Sequence, residues 1–173
     1  MKPMLFPLLA LTTSFVITNS TPVRAGQLSL HSSSFTDRST IPTIYTCEGK
    51  NVSPELAWHG APAGTESYAL ICEDPDAPAG IWYHWVIFNI PRVVTEIPEG
   101  SGLPGGATPG ANSWGRTQYS GPCPPSSIHR YNFTLYALDS HLQLPNGADA
   151  KQVMNAMQGH VLQKTTIMGV FGH

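Results

Sequence analysis

The chain has little charge, few cysteines and none of the common short motifs of hydrolases or nucleotide-binding proteins. Charged side chains make up 12% of its 173 residues, against about 25% in an average soluble domain. A Gly-x-Ser-x-Gly nucleophile motif is absent, as is a glycine-rich phosphate loop leading into a helix. These absences disfavour a serine hydrolase and a nucleotide-binding α/β fold.

The sequence also lacks the excess of positive charge that is typical of proteins that bind nucleic acid or anionic membranes. Once residues 1–25 are set aside with Lys2 and Arg24, 7 basic residues remain against 11 acidic ones, a net charge of −4. A basic footprint is the signature of a nucleic-acid or anionic-lipid surface. We therefore expect no nucleic-acid partner, and any anion must be held by a local pocket.

Residues 1–25 have the pattern of a signal peptide. Lys2 supplies the positive start, residues 4–17 are mainly apolar, and residues 23–25 suit a signal peptidase. The apolar run of about 14 residues is short for a membrane span. The sequence predicts removal of residues 1–25, a single domain over 26–173, a periplasmic or secreted location and no integral membrane segment.

Glycine and proline are abundant, at 16 residues each, while 41% of the chain is apolar. This balance predicts a folded, loop-rich β protein. The fold class is therefore all-β, as a β-sandwich or a large mixed sheet, with one or two short helices. The predicted strands cover residues 27–35, 41–46, 55–58, 66–73, 81–90, 130–138 and 162–170.

Two further segments have distinct patterns. Residues 149–158 carry the apolar spacing of a helix, which Asp149 can cap and Gly159 can end. Residues 91–125 form a long connection rich in glycine and proline, and Trp114 and Tyr119 indicate that its second half packs against the domain.

Two stiff loops each precede a strand that carries a histidine. Residues 74–78 (Asp-Pro-Asp-Ala-Pro) precede His84, and residues 121–125 (Gly-Pro-Cys-Pro-Pro) precede His129. Proline restricts the backbone, so polar groups on such loops lose little entropy on binding. We interpret the two stretches as opposite walls of one pocket.

Strand alternation predicts which side chains share a face. It places His129 with Tyr131 if residue 129 is already extended. In the strand predicted over residues 81–90, it places Trp82, His84 and Val86 on one face, and Tyr83, Trp85 and Ile87 on the other.

Two histidines near a carboxylate allow three interpretations. They form an anion site in which imidazoles donate to a phosphate-like group, a metal site of two histidines and an aspartate, or ordinary hydrogen-bonded histidines in a core. Because the histidines come as a pair, each beside a proline-stiffened loop, we favour the anion site.

The three cysteines do not indicate a nucleophilic enzyme. Cys72 lies in an apolar run typical of a buried, inert thiol. Cys123 is flanked by prolines and lacks the helix start that would stabilise its thiolate. A disulfide between Cys47 and Cys123 is compatible with an oxidising compartment, but spacing alone does not decide whether it forms.

Several motifs resemble the phosphatidylethanolamine-binding protein family, and more narrowly its bacterial branch, often called Raf-kinase-inhibitor-like. The resemblance covers essentially all of residues 26–173, in the same order. It rests on residues 53–58 (Ser-Pro-Glu-Leu-Ala-Trp), 74–78, 82–85 (Trp-Tyr-His-Trp), 121–125, 129–131 (His-Arg-Tyr) and 135–138 (Leu-Tyr-Ala-Leu).

The resemblance implies a β-sandwich with a large central antiparallel sheet and a small pocket for phosphate-like or carboxylate groups. It implies that Asp76 and Arg130 support the loops and that a cis peptide precedes Pro78. Related bacterial proteins suggest a homodimer. The ligand-binding residues it implies are Asp74, Pro78, Trp82, His84, Gly121, Pro122, His129 and Tyr131.

The hypothesis that follows is an exported, non-catalytic protein that binds a phospholipid headgroup or another phosphorylated ligand, without cofactor or metal. Family members bind phospholipid headgroups or nucleotides, and some inhibit kinases or serine proteases. The alternative is therefore an inhibitor or signalling protein whose surface loops, above all residues 91–125, contact a kinase or protease. A metal-dependent hydrolase is the third hypothesis.

Overall fold

The computed structural model describes residues 26–172, so the predicted signal peptide, residues 1–25, lies outside the described residues. The strands are β1 (Ser29–His31), β2 (Leu56–His59), β3 (Ser67–Asp74), β4 (Trp82–Pro91), β5 (Glu96–Ile97), β6 (Thr108–Pro109), β7 (Ile128–Leu138) and β8 (Val161–Gly172). A short 3-10 helix spans Thr43–Tyr45, and the helix α1 spans Ala150–Ala156. No helix within 26–172 is long and apolar enough to cross a membrane.

Two antiparallel sheets form the predicted all-β architecture. The larger sheet has the strand order β6-β4-β3-β7-β8, and the smaller has the order β1-β2-β5. Apolar side chains from both sheets pack between them because the central strands are rich in aromatic and β-branched residues. This core includes Leu56, Trp58, Tyr68, Leu70, Trp85, Ile87, Ile97, Tyr131, Phe133 and Leu135. The all-β fold with a large antiparallel sheet is therefore confirmed.

The opposite face of the large sheet is covered by α1. Val153 and Met157 pack there with Val86 and Phe88 of β4. Asp149 accepts a hydrogen bond from the Gln152 amide at 2.8 Å and donates its own amide to the Gln152 side chain at 2.9 Å. This reciprocal cap begins the helix at the residue predicted from the sequence.

The strand predicted over residues 41–46 is wrong. The chain there turns through the 3-10 helix Thr43–Tyr45, and the Thr46 hydroxyl donates to the Thr43 carbonyl at 2.9 Å. Proline at position 42 fixes the backbone at the entry to this turn. The turn matters for the site because it leads directly into Cys47.

Strand β4 contains two bulges, which correct the predicted faces. In its pairing with β3, Trp85 lies opposite Cys72 and Tyr83 lies opposite Glu73, which leaves His84 as an extra residue. A bulge places two consecutive side chains against one partner residue and breaks strict alternation. Trp82 and His84 share a face as predicted, but Val86 packs on the α1 side. Trp85 and Ile87, predicted on the opposite face from His84, lie in the inter-sheet core with Tyr131, which His84 contacts.

The second bulge lies at Phe88 and Asn89, which together face Ala69 on β3. Asn89 has a φ of 54°, and its side chain exchanges two hydrogen bonds with the backbone of Leu142, at 2.8 and 3.0 Å. These bonds offset the cost of the left-handed backbone conformation.

Strand β8 lies at the edge of the large sheet, and a preceding loop covers part of it. The backbone amides of Arg38 and Ile41 donate to the carbonyls of Met168 and Val170 at 2.6 and 2.8 Å, and the Val170 amide donates to Ser39 at 3.0 Å. Backbone groups in the second half of β8 are therefore paired on both sides.

We expect Phe133→Ala to lower the free energy of unfolding by about 3–5 kcal/mol, because it removes a fully buried ring from the inter-sheet core. Urea unfolding followed by tryptophan fluorescence measures the change. Ile128→Ala, at a 64% exposed position on the same strand, is the matched control and should cost no more than about 0.5 kcal/mol. Equal losses in the two variants would contradict the proposed core.

Candidate functional site

Three strands of the large sheet bring the predicted site residues to one end of the molecule. Because the sheet is antiparallel, β3 ends at Asp74 where β4 begins at Trp82 and β7 begins at Ile128. His84 and His129 therefore lie near the same sheet end. Their positions follow from strand direction and register.

A cavity of about 240 Å³ lies at this end of the sheet. Its lining residues are Asp74, Ala77, Pro78, Ala79, Trp82, His84, Trp114, Cys123, Pro124, Pro125 and His129. A more open cleft of about 370 Å³ lies nearby, with Ala79 and Trp82 in its wall as well, but it contains neither histidine. The smaller cavity is thus the one that brings both histidines together with Asp74.

His84 is held by the backbone of the long connection. Its Nδ1 lies 2.6 Å from the carbonyl oxygen of Ser120, which only accepts, so Nδ1 carries a proton and donates. The ring contacts Trp114 and Tyr131 edge-on, each at 5.1 Å between centroids. Burial lowers the pKa of His84 below its ordinary value.

His129 and Asp74 form a buried pair. Nδ1 of His129 lies 2.7 Å from Oδ2 of Asp74, and both side chains are about 5% exposed or less. The other carboxylate oxygen accepts the backbone amide of Asp76 at 2.8 Å. Asp74 therefore fixes the orientation of the His129 ring while the turn fixes Asp74.

Both histidines use Nδ1 within the protein and leave Nε2 available. Within residues 26–172, neither Nε2 atom has a hydrogen-bond partner. Neither atom is fully enclosed by the protein. Each ring lines the cavity. The cavity therefore presents two imidazole nitrogens that are free to meet a ligand.

An ion pair stabilises the first loop from outside the cavity. The Asp76 carboxylate accepts the backbone amide of Arg130 at 2.9 Å and the guanidinium Nε and Nη2 atoms at 2.8 and 2.6 Å. These charge-assisted bonds hold the pKa of Asp76 at about 2. The pair joins the turn after β3 to β7, in agreement with the supporting role expected for both residues.

A buried asparagine that the sequence analysis missed organises the far wall. The Asn112 side chain accepts the amides of Trp114 and Arg116, both at 3.0 Å, and donates to the Gln118 carbonyl at 3.1 Å and to the Ser120 hydroxyl at 3.0 Å. These bonds close residues 112–120 into a fixed loop. The only signal in the sequence was the aromatic content of this segment.

The loop carries Trp114 to the cavity mouth. Its indole contacts Trp82 at 5.3 Å and an interplanar angle of 82°, and 42% of the residue is exposed. Aromatic rings at a cavity mouth supply apolar area with little entropy to lose. Trp114 is thus a wall residue that the sequence assigned only to packing.

Residues 121–123 form a short segment, here called the strap, that closes the cavity next to Cys123. Cys47 and Cys123 form a disulfide with a Cα–Cα distance of 5.4 Å, which answers the question that spacing left open. The Cys47 amide donates to the Pro122 carbonyl at 3.0 Å, and the Gly121 amide donates to Asn51 Oδ1 at 2.7 Å. Residues 121–123 are therefore tied to the turn after the 3-10 helix.

Five of the eight predicted ligand residues line the cavity and three lie behind its wall. Gly121 and Pro122 are buried in the strap, and Tyr131 is fully buried under His84. Burial and the nearby Asp74 carboxylate raise the pKa of Tyr131. The five that line it are Asp74, Pro78, Trp82, His84 and His129. A role in ligand binding stays a prediction for all eight.

Two other expectations concern the cavity. The cis peptide expected before Pro78 is wrong, because residues 26–172 contain no cis peptide bond. The same range contains no cluster of three or more histidine, cysteine, aspartate or glutamate side chains arranged to hold a metal ion.

Comparison with known proteins identifies the family. A family model described as phosphatidylethanolamine-binding protein matches residues 31–172. The chain belongs to the phosphatidylethanolamine-binding protein family. The chain is also similar to the UPF0098 protein of Methanothermobacter thermautotrophicus, with 49% identity over 83% of this chain and 98% of the relative. The UPF0098 protein of Aquifex aeolicus is 41% identical over 83% of this chain and 88% of the relative.

Solved structures of the phosphatidylethanolamine-binding protein family have the same fold. A protein from Chlamydia trachomatis, described as a homologue of phosphatidylethanolamine-binding protein, has a TM-score of 0.80 at 36% identity, over 86% of this chain and 99% of its own. Escherichia coli YbcL, described as a member of the mammalian family, has a TM-score of 0.78 at 31% identity, over 84% and 98% of the two chains.

The strap of this family member provides a test of the site's packing. A Cβ at Gly121 would overlap the Tyr45 carbonyl oxygen, which belongs to the backbone and cannot rotate away. We expect Gly121→Ala to lower the free energy of unfolding by about 1–3 kcal/mol.

The matched control is Gly105→Ala, at a position with nothing within 4 Å of the added carbon. It should be neutral or stabilising by up to about 1 kcal/mol, because alanine restricts the unfolded chain. Thermal unfolding by circular dichroism compares the two variants, and equal stability in both would contradict the close packing of the strap.

Proposed function

We propose that the protein is an exported, non-catalytic binding protein whose cavity takes phosphate-like or carboxylate anions, with phospholipid headgroups and small phosphorylated molecules as the ligand class. The observation that supports this most is the pair of free Nε2 atoms, on His84 and His129, in one cavity. Imidazolium N–H groups donate to anionic oxygens in strong, charge-assisted hydrogen bonds.

The protonation state of the histidines sets which anions the cavity favours. A neutral His84 has its proton on Nδ1, bound to Ser120, so its Nε2 accepts and does not donate. An anion therefore requires a second proton on the ring, or brings a proton itself. The Asp74 carboxylate adds a negative charge beside the site and disfavours dianions, so we infer a preference for monoanions such as phosphodiesters.

The size of the cavity points to a headgroup rather than a whole lipid. Its volume of about 240 Å³ is below the range of about 300–1,000 Å³ common for drug-sized ligands. Pro78, Pro124 and Pro125 lie in its walls, which supports a preformed shape with little freedom to expand. Acyl chains of a bound phospholipid would remain outside.

The contacts of the nearby hydroxyl and sulfur atoms support a binding role rather than nucleophilic catalysis. The Ser120 hydroxyl accepts from Asn112, and the carbonyl of Ser120 is the group that meets His84. The sulfur of Cys123 is held in the disulfide. Nucleophilic catalysis requires a hydroxyl or thiol activated by an adjacent base.

Two features support export to the periplasm or the extracellular space. Disulfides form and persist mainly in oxidising compartments, and Cys47 and Cys123 form one here. Residues 1–25 have the composition of a signal peptide. The two features are independent, since one concerns the folded domain and the other the leader.

We expect the affinity for glycerophosphoethanolamine to rise as pH falls. This phosphodiester keeps one negative phosphate charge between about pH 5 and 8, the range in which imidazole titrates. Burial holds His84 neutral at pH 7, while Asp74 favours its protonation and His129 opposes it. A bound anion adds to the effect of Asp74, so binding takes up a proton and tightens by up to about tenfold per pH unit.

The increase should begin near the ordinary histidine pKa and level off below the lowered pKa of His84. The same lowered pKa means that the ligand-free fold loses stability as pH falls from the ordinary histidine pKa towards that of His84, because the unfolded chain takes up a proton that the buried ring does not. Isothermal titration calorimetry across the pH range measures the affinity. An affinity that does not change with pH would contradict the role of the histidines.

A substitution that keeps the ring but removes its nitrogens tests His84 directly. We expect His84→Phe to retain packing against Trp114 and Tyr131 and to weaken glycerophosphoethanolamine binding by at least about tenfold, the cost of one charge-assisted hydrogen bond. Circular dichroism verifies the fold and calorimetry measures the binding.

His160→Phe is the matched control. Nδ1 of His160 likewise has an oxygen partner, the Asp139 carboxylate at 2.8 Å, but His160 is about half exposed and outside the cavity. Binding should be unchanged in this variant. If His84→Phe binds as tightly as the control, the cavity is not the anion site.

A further inference from the structure

The disulfide is part of the cavity wall, and its two cysteines differ in their position relative to the cavity. Cys123 lines the cavity, whereas Cys47 does not. Both cysteines are exposed to solvent. A small molecule inside the cavity therefore meets Cys123 and not Cys47. Exposed disulfides are more open to exchange than buried structural ones.

The disulfide is not the sole link between the segments it joins. The Tyr119 hydroxyl donates to the Tyr45 carbonyl at 2.8 Å, the Gly121 amide donates to Asn51 at 2.7 Å, and the Cys47 amide donates to Pro122 at 3.0 Å. These three hydrogen bonds remain when the sulfur–sulfur bond opens. The two segments therefore keep other links when the disulfide is reduced.

We propose that the cavity is a site of thiol–disulfide exchange, in which a small anionic thiol enters between the histidines and attacks Cys123. The anionic preference rests on the proposed function, because the Nε2 atom of His129 would hold the negative group, while that of His84 takes the proton of the thiol. The exposed disulfide and its one-sided access carry the rest of the proposal.

The step balances as an ordinary exchange. The thiol loses its proton, its thiolate sulfur bonds to Cys123 Sγ, and the bond to Cys47 breaks. Cys47 leaves as a thiolate and takes a proton from solvent, to which it is exposed. The product is a mixed disulfide at Cys123, and a second thiol releases the small disulfide and leaves both cysteines reduced.

The cavity contains a base for the first proton transfer. His84 lines the same cavity as Cys123, and its free Nε2 accepts a proton while the ring is neutral. Burial lowers its pKa and so keeps the ring neutral near pH 7. The thiolate is the reactive form in disulfide exchange, so a nearby base favours reaction inside the cavity.

Two single-cysteine variants test the direction of access. Cys47→Ser leaves a thiol at Cys123, and Cys123→Ser leaves one at Cys47, the matched control. Each variant is reacted with 3,3′-dithiodipropionate, a small anionic disulfide, and the labelled residue is found by peptide mass spectrometry. The buried Cys72 serves as an internal site that stays unlabelled, and calorimetry measures glycerophosphoethanolamine binding to both variants.

At ten times its Kd, glycerophosphoethanolamine leaves about one-eleventh of the cavities empty. Exchange at Cys123 should then slow by about tenfold, while exchange at Cys47 should not change. If the phosphodiester binds and the rate at Cys123 is unaffected, the proposed exchange site is wrong and the proposed function stands.

If glycerophosphoethanolamine does not bind, the proposed anion-binding function is wrong, and the exchange site is tested by a second measurement. The wild-type disulfide is treated with 3-mercaptopropionate and quenched with acid before a second exchange occurs. A first label on Cys123 supports attack from the cavity. A first label on Cys47, or an equal division between the two, overturns it.

Discussion

The buried hydrogen bond between His129 and Asp74 is the constraint on which the arrangement of the site depends. A carboxylate with almost no solvent contact must be paired, because an isolated buried charge costs several kcal/mol. Asp74 meets that requirement through His129 and through the Asp76 amide. Asp76 in turn holds Arg130. One chain of contacts thus joins the end of β3 to the start of β7 and orients the cavity-lining imidazole.

Much of this organisation can be predicted from the sequence because it depends on local pattern. The aromatic and β-branched runs predict β3, β4 and β7, and alternation correctly places His129 and Tyr131 on one face. The two histidine stretches lie in the walls of one cavity because antiparallel strands return to the same sheet end. A carboxylate immediately after one strand and a histidine at the start of its neighbour follow from that topology.

The remaining features depend on contacts that form only in the folded chain, which no local pattern encodes. The bulge at His84 moves Val86 to the other face, yet neither residue type marks a bulge. Asn112 organises the loop behind Trp114 through five hydrogen-bonding groups contributed by the folded chain. From the sequence alone, Asn112 does not differ from other polar residues in loops. Gly121 and Pro122 precede the cavity-lining Cys123 in sequence, but they pack inward against Tyr45 and Cys47.

The covered edge of β8 has a consequence for the behaviour of the protein in concentrated solution. Unpaired strand edges are templates for intermolecular sheet growth and aggregation. Here residues 38–41 occupy the second half of that edge, and the first half carries the exposed charge of Lys164. The opposite edge is the two-residue strand Thr108–Pro109, where proline lacks an amide to offer. Both borders of the large sheet are thus protected against polymerisation.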